Sequence, residues 1–269
     1  MLAAIVYKLR AESSAMFVSD NGRYMHAVFL RLIEQVSPEI SAYLHDEIER
    51  KPFSVSCLDK CCKTVKKMRR KIQPGEMFEW RVGIFNEDIF QAALAFRYGQ
   101  IITVGELQLS LQEIIVDGEK HSRSGITDEA DLLAVCMGIG NIKEISFSFI
   151  SPTSFRIKQS DCPWPTPELI FGSLSAKWNS AGLLPSFDEA GIRDAAKQLL
   201  PLDWSGSTRR VRFSRDRWIL CFTGKFTYDV SALDSECIGA LLCLAQFAVF
   251  AGIGRMTAQG LGEVVVEYQ

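Results

Sequence analysis

Histidine is scarce in this chain: three in 269 residues, with eight cysteines of which no two form a C-x-x-C pair. That scarcity removes the common zinc frameworks, which need four such ligands at short spacings. Apart from Cys57, Cys61 and Cys62, the cysteines are scattered among apolar neighbours and read as reduced, mostly buried thiols. No metal and no cofactor is expected. The chain also lacks a Gly-Lys-Ser/Thr phosphate loop. Its longest apolar run, 238–253, is interrupted by Gln246 and is too short to span a bilayer. The apolar residues 1–10 meet charge too early for a signal peptide and read as a first strand. The expectation is a cytoplasmic protein without membrane contact. Net charge is only −2, so no overall basicity marks a nucleic-acid binder, although net charge is not charge distribution.

What is present is a 48% hydrophobic composition, enough for a proper core. There are also two dense basic clusters. One runs from Lys60 to Lys71 and includes Lys66, Lys67, Arg69 and Arg70. The other holds Arg209, Arg210, Arg212, Arg215 and Arg217, with Val211, Phe213 and Trp218 among the charges. A charge run is usually a solvated face, but two in an otherwise acidic chain point equally to a polyanion ligand.

Near the C-terminus stands Gly252-Ile-Gly254-Arg255-Met-Thr-Ala-Gln-Gly260-Leu-Gly262. Glycine lets backbone N–H groups approach a phosphate closely and adopt positive φ. A dinucleotide fingerprint follows a strand and opens a helix. Here an apolar helical run, 237–250, precedes the loop and a strand-like segment, 263–268, follows it. The order excludes a mononucleotide cradle. It leaves a helix cap with a turn, or a different kind of phosphate contact.

Periodicity organises the rest. Residues 24–36 form an amphipathic helix with Met25, Val28, Phe29, Leu32, Ile33 and Val36 on one face. Ser37-Pro38 ends it, and 39–46 reads as a short second helix. Strands are expected at 2–9, 53–58, 78–85 and within 101–116, and a helix at 87–98 closed by Gly99. A charged, Ser/Gly-containing segment places a domain boundary at about 120–142. Beyond it, strands are expected at 145–150, 154–158, 211–213, 218–222 and 225–230, with helices at 168–178, 188–200 and 236–250. Two β-α-β-β-α-β halves, 1–125 and 140–269, make an α+β chain of tandem ferredoxin-like domains, the plan of the RNA-recognition module.

Four motifs carry a resemblance. They are the glycine loop, the Ser151-Pro152-Thr153-Ser154-Phe155 segment, the helix Arg23-Tyr-Met-His26 to Ile33, and His45-Asp46 followed by Lys51-Pro52-Phe53-Ser-Val-Ser56. In this order and in a chain of this length they resemble the CRISPR-associated repeat-processing endoribonucleases, Cas family six of the RAMP superfamily. The resemblance implies metal-independent cleavage of CRISPR precursor RNA within its repeats. In that reaction the 2′-OH attacks the adjacent phosphate, leaving a 2′,3′-cyclic phosphate and a 5′-OH. The chemistry needs a base, an acid and a cation for the phosphorane-like transition state.

His45 matches the family's catalytic histidine by position, and Lys51 matches a lysine that neutralises the scissile phosphate in some members. Some members also carry a tyrosine fifteen residues before the histidine, where this chain has Leu30. His26, Tyr43 or Tyr24 are the candidates for the missing role, while His121 is expected to be incidental. The resemblance makes Arg255 and the backbone of Gly252, Gly254, Gly260 and Gly262 the first RNA contacts, with the two basic clusters next. CRISPR repeat RNA is the expected partner. Other Cas subunits and a second copy of the chain remain open, as does a non-cleaving role holding repeat RNA inside an effector complex.

Overall fold

A computed structural model describes residues 1–18, 20–46, 50–58, 69–140, 142–213 and 216–269, with the backbone alone at 46 and 69. The chain divides into two compact units. The first comprises Met1, Ala3–Ile126 and Ala258–Gly260, and the second comprises Leu2, Thr127–Thr257 and Leu261–Gln269.

The first unit runs β1 (Leu2–Ala11), β2 (Ala15–Val18), α1 (Gly22–Val36), α2 (Pro38–Asp46), β3 (Phe53–Val55), β4 (Arg69–Ile72), β5 (Met77–Ile84), α3 (Glu87–Leu94), β6 (Ile101–Val104), β7 (Leu107–Ile115) and β8 (Gly125–Thr127). Its main sheet has the order β3-β5-β1-β7-β6, with β8 paired to β1 off that path. The first four of these strands are the four of a ferredoxin-like sheet. β1 sits centrally, antiparallel to β5 (Tyr7↔Trp80) and to β7 (Tyr7↔Ile114). β6 extends the sheet as a hairpin, and β2 with β4 forms a separate ribbon.

The predicted face of α1 is buried at Met25, Val28, Phe29, Leu32 and Ile33, but Val36, at the helix end, is 42% exposed. Phe29 packs on Phe53 at 4.7 Å and edge-on to Trp80 at 6.2 Å, joining helix to sheet. α3 is shorter than its periodicity suggests. It ends at Leu94, and the Gly99 N–H donates instead to the Leu111 carbonyl at 2.7 Å, opening the β6–β7 hairpin.

The second unit contains α4 (Glu129–Gly138), β9 (Glu144–Thr153), β10 (Phe155–Ile157), β11 (Ser160–Cys162), α5 (Pro167–Ser180), α6 (Glu189–Ala196), β12 (Leu200–Arg212), β13 (Trp218–Asp229), α7 (Ser235–Ala251) and β14 (Val264–Tyr268). The sheet order β12-β13-β9-β14 repeats the ferredoxin-like arrangement, so the tandem plan holds. Phe147, Phe171, Trp178, Phe222 and Phe247 fill the core. Three short strands were expected where two long ones occur. β12 begins eleven residues before the first expected strand at 211, and β13 continues unbroken through Gly224, which pairs with Gly206. Among the described residues no helix is long and apolar enough to cross a membrane.

Candidate active site and RNA-contact residues

Within the first unit, α1, α2 and the start of β3 bring together three residues singled out from the sequence. Asn21 sets the origin of α1. It is fully buried, its side-chain amide donates to the Val18 carbonyl, and its side-chain oxygen accepts the Leu58 N–H at 2.9 Å. One turn on, His26 stacks on Phe53 with ring centres 5.8 Å apart and planes 16° apart. Burial is the main cause holding His26 below the ordinary histidine pKa. A hydrogen bond to the Ala258 backbone works the other way, and the neighbouring Lys51, His45 and Arg23 reinforce the depression electrostatically. His26 therefore stays neutral near pH 7, and its Nδ1 is buried without a hydrogen-bond partner.

His45 is exposed near the end of α2. Lys51 caps that helix: its ammonium donates to the Leu44 carbonyl and, at 3.4 Å, to the His45 carbonyl. A lysine at a helix C-terminus satisfies orphan carbonyls and complements the dipole. Tyr43, 45% exposed, lies two residues before His45, and helical positions two apart diverge by about 200°. Leu30 is buried, so the position of the family tyrosine contributes to the core. Tyr24 is half-exposed and packs towards Phe17. His121 bonds to Glu79 at 3.3 Å. Arg23 is an addition that sequence reading missed. Its spacing three residues before His26 on one helix was the available signal.

The glycine loop is built differently from the expectation. All four glycines have positive φ, from +67° to +88°. In the second unit, however, Gly252, Gly254 and Gly262 are buried and their N–H groups are taken. Gly252 donates to Ala248 O at 2.8 Å, Gly254 to Ser173 Oγ at 3.2 Å and Gly262 to Pro152 O at 3.0 Å. An added Cβ would lie 2.5 Å from Ser154 O at Gly254 and 2.1 Å from Ile253 O at Gly262. These three glycines close the loop on itself and on Ser151–Ser154. Their N–H groups are engaged within the protein and form no open cradle. Lys177 of α5 fastens the same loop, donating to Gly252 O at 2.7 Å, Thr257 Oγ1 at 3.2 Å and Ala251 O at 3.3 Å. In the first unit, Gly260 and Gln259 lie against Gly22 at the start of α1.

Arg255 is likewise committed. Its guanidinium is paired with Asp161, and its side chain is only 15% exposed. Burial holds its pKa below the ordinary arginine value, with Asp161 opposing and the nearby Arg217 and Arg156 adding to the depression. Arg70 pairs with Glu76 at 2.7 Å and lies over the Phe78 ring. Lys66 and Lys67 lie outside the described residues, and Arg69 is described by its backbone alone. Arg209, Arg210 and Arg212 stand on β12, where Val211, Ile219, Cys221 and Leu261 pack beneath the strand pair and Arg210 and Arg212 face outward. Among the described residues no group of three His, Cys, Asp or Glu side chains gathers as a metal site. None of the described cysteines is in a disulfide.

A family model described as the CRISPR Cas6 N-terminal domain matches residues 1–117, and one described as CRISPR-associated endoribonuclease Cas6 matches residues 147–264. The chain belongs to the Cas6 family. A Cas6 endoribonuclease of Streptococcus thermophilus is 23% identical over 242 residues, 88% of each chain. One from Mycobacterium tuberculosis is 27% identical over 135 residues, which is 46% of this chain and 39% of that relative, so well under half of its length is matched. Among solved structures, Thermus thermophilus Cas6 covers 99% of this chain and 98% of its own at 25% identity and TM-score 0.75. A Cas6 product complex covers 99% of both chains at 25% identity and TM-score 0.80.

Proposed function

We propose that this Cas6 chain is a cytoplasmic endoribonuclease that cuts CRISPR precursor RNA within its repeats by transesterification, without a metal. His45 takes the proton of the 2′-OH, the 2′-oxygen bonds to the adjacent phosphorus as the bond from phosphorus to the 5′-oxygen breaks, and the leaving 5′-oxygen takes up a proton from water. The products are a 2′,3′-cyclic phosphate and a 5′-OH. The observation that carries this reading is that Lys51 is held at the Leu44 and His45 carbonyls at the end of α2, while Lys51, His45 and Arg23 all act electrostatically on the half-buried His26. A concentration of positive charge beside an exposed imidazole suits a phosphodiester whose charge grows in the transition state. Lys51 positions His45 by holding the end of α2. His26 has one nitrogen buried and a hydrogen bond to Ala258, so it acts as a positioning residue. The Cas6 product complex among the structural neighbours supports the same reading.

Incubation of labelled repeat RNA in EDTA tests the proposal. Cleavage should persist in the wild type, fall at least a hundredfold in His45→Ala, and fail on RNA carrying 2′-deoxy at the scissile nucleotide. Arrest by EDTA, or full activity in His45→Ala, would refute it. Buried Leu30 at the tyrosine position favours a second reading, a non-cleaving repeat-RNA subunit. Tight binding by the wild type with no cleavage would establish that instead.

A further inference from the structure

The strand pair β12–β13 carries a sided surface that the cleavage chemistry does not use. The register from Trp204↔Phe226 to Arg212↔Trp218 is unbroken. Side chains alternate along a strand, so Trp204, Gly206, Thr208, Arg210 and Arg212 share one face. Phe226, Gly224, Phe222, Leu220 and Trp218 are their partners on that face. At one end the Arg212 guanidinium lies over the Trp218 ring, 5.9 Å from its centre. At the other, Trp204 meets Trp164 at 5.4 Å and stacks on Phe226 at 5.9 Å. The paired glycines between them leave the middle low, where the Phe222 ring lies close against both.

Three tryptophans on this surface are about half exposed: Trp164 at 45%, Trp204 at 53% and Trp218 at 47%. The other two, Trp80 and Trp178, are fully buried. A half-exposed tryptophan presents an apolar ring to solvent, and here an aromatic pair stands at one end of the strand face and arginines with Trp218 at the other. Eight residues of strand separate Trp204 from Arg212, about 27 Å at 3.4 Å per residue. That is the length of about eight stacked nucleotides of one strand.

We propose that this face binds an unpaired stretch of RNA, with its phosphates at Arg210 and Arg212 and its bases stacked on Trp204 and Trp164. The inference rests on the RNA-processing reading above and adds a single-strand subsite to it. Aromatic rings accept bases that are already unstacked, whereas a paired helix offers them no base face. The arginines at one end supply the charge complement, and uncharged Thr208 and Gly206 lie between them and Trp204.

Tryptophan fluorescence titrated with an unstructured eight-nucleotide RNA tests this directly, because the two buried tryptophans should not respond. Quenching is expected. Trp204→Leu and Trp164→Leu should each weaken binding roughly five- to hundredfold, and Trp204→Phe should restore most of it. An eight-residue abasic strand should bind wild type and Trp204→Leu alike. Unchanged affinity in both leucine variants, while the wild type still binds and cuts repeat RNA, would overturn the subsite and leave the nuclease reading intact. A wild type that neither binds nor cuts repeat RNA would overturn the nuclease reading itself. A concentration-dependent dimer lost in Trp204→Leu, with RNA affinity unchanged, would also overturn the subsite and assign the face to a second copy of the chain.

Discussion

Replacing Gly22 by alanine sets two effects of opposite sign against each other. Alanine is the best helix former, and Gly→Ala inside a helix is worth up to about 1 kcal/mol of added stability. Gly22 opens α1, and its φ lies outside the positive range that would forbid a side chain. On propensity alone the variant should be more stable. Its new Cβ, however, would lie 2.2 Å from the Gln259 carbonyl oxygen and 2.6 Å from the Gly260 Cα. Both are backbone atoms, so no rotamer change relieves the overlap. Overpacking of this kind costs about 1–3 kcal/mol, so after a gain of about 1 kcal/mol the net expectation is a loss of up to about 2 kcal/mol, read as a lower urea midpoint at unchanged slope. Gly138→Ala is the control. An added Cβ there meets nothing within 4 Å, so it should show the propensity gain alone. If Gly22→Ala raises the midpoint as Gly138→Ala does, residues 258–260 do not rest on α1 as described.

Two further outcomes follow from polar groups. Because burial holds His26 below its ordinary pKa, the unfolded chain binds a proton first as pH falls. The stability tied to neutral His26 is thus complete above the unfolded value of about 6.5 and is lost as pH falls through the lower folded value. His26→Phe should flatten the stability profile below about pH 6.5, and an unchanged urea-midpoint slope would contradict the burial argument. Lys177→Met leaves Gly252 O, Ala251 O and Thr257 Oγ1 without their cation. It should cost about 2–3 kcal/mol and speed amide exchange at Gly252 and Gly254, whereas unchanged exchange would show that the loop holds without it.

Much of the fold was legible because its signals are local. Apolar spacing located α1, Ser37-Pro38 separated it from α2, and the order of elements gave the repeated ferredoxin-like plan. What was not legible lies where distant partners decide. Nothing near Arg255 announces Asp161, which is 94 residues away in sequence. The loop glycines were correctly read as needing positive φ, but the destinations of their N–H groups, Pro152 and Ser173, are tertiary facts. β12 was underestimated because Gly206 and the polar residues around it look like a turn. Paired with Gly224, they are the flat centre of a long ribbon. His26 and His45 were each visible, but the burial and the Ala258 hydrogen bond that distinguish His26 from the exposed His45 were not.

The sheet orders have a consequence for how each unit assembles. In both, the strand synthesised first becomes the central one and waits longest for its neighbours. β1 pairs Val6 with Ile115, and β9 pairs Ile145 with Tyr268. Neither central strand can be flanked on both sides until nearly all of its unit exists, so closure entropy is met before most of the ladder forms. A chain interrupted before Val264 would leave one edge of β9 open beside buried Phe147 and Phe149, a template for pairing with another such chain.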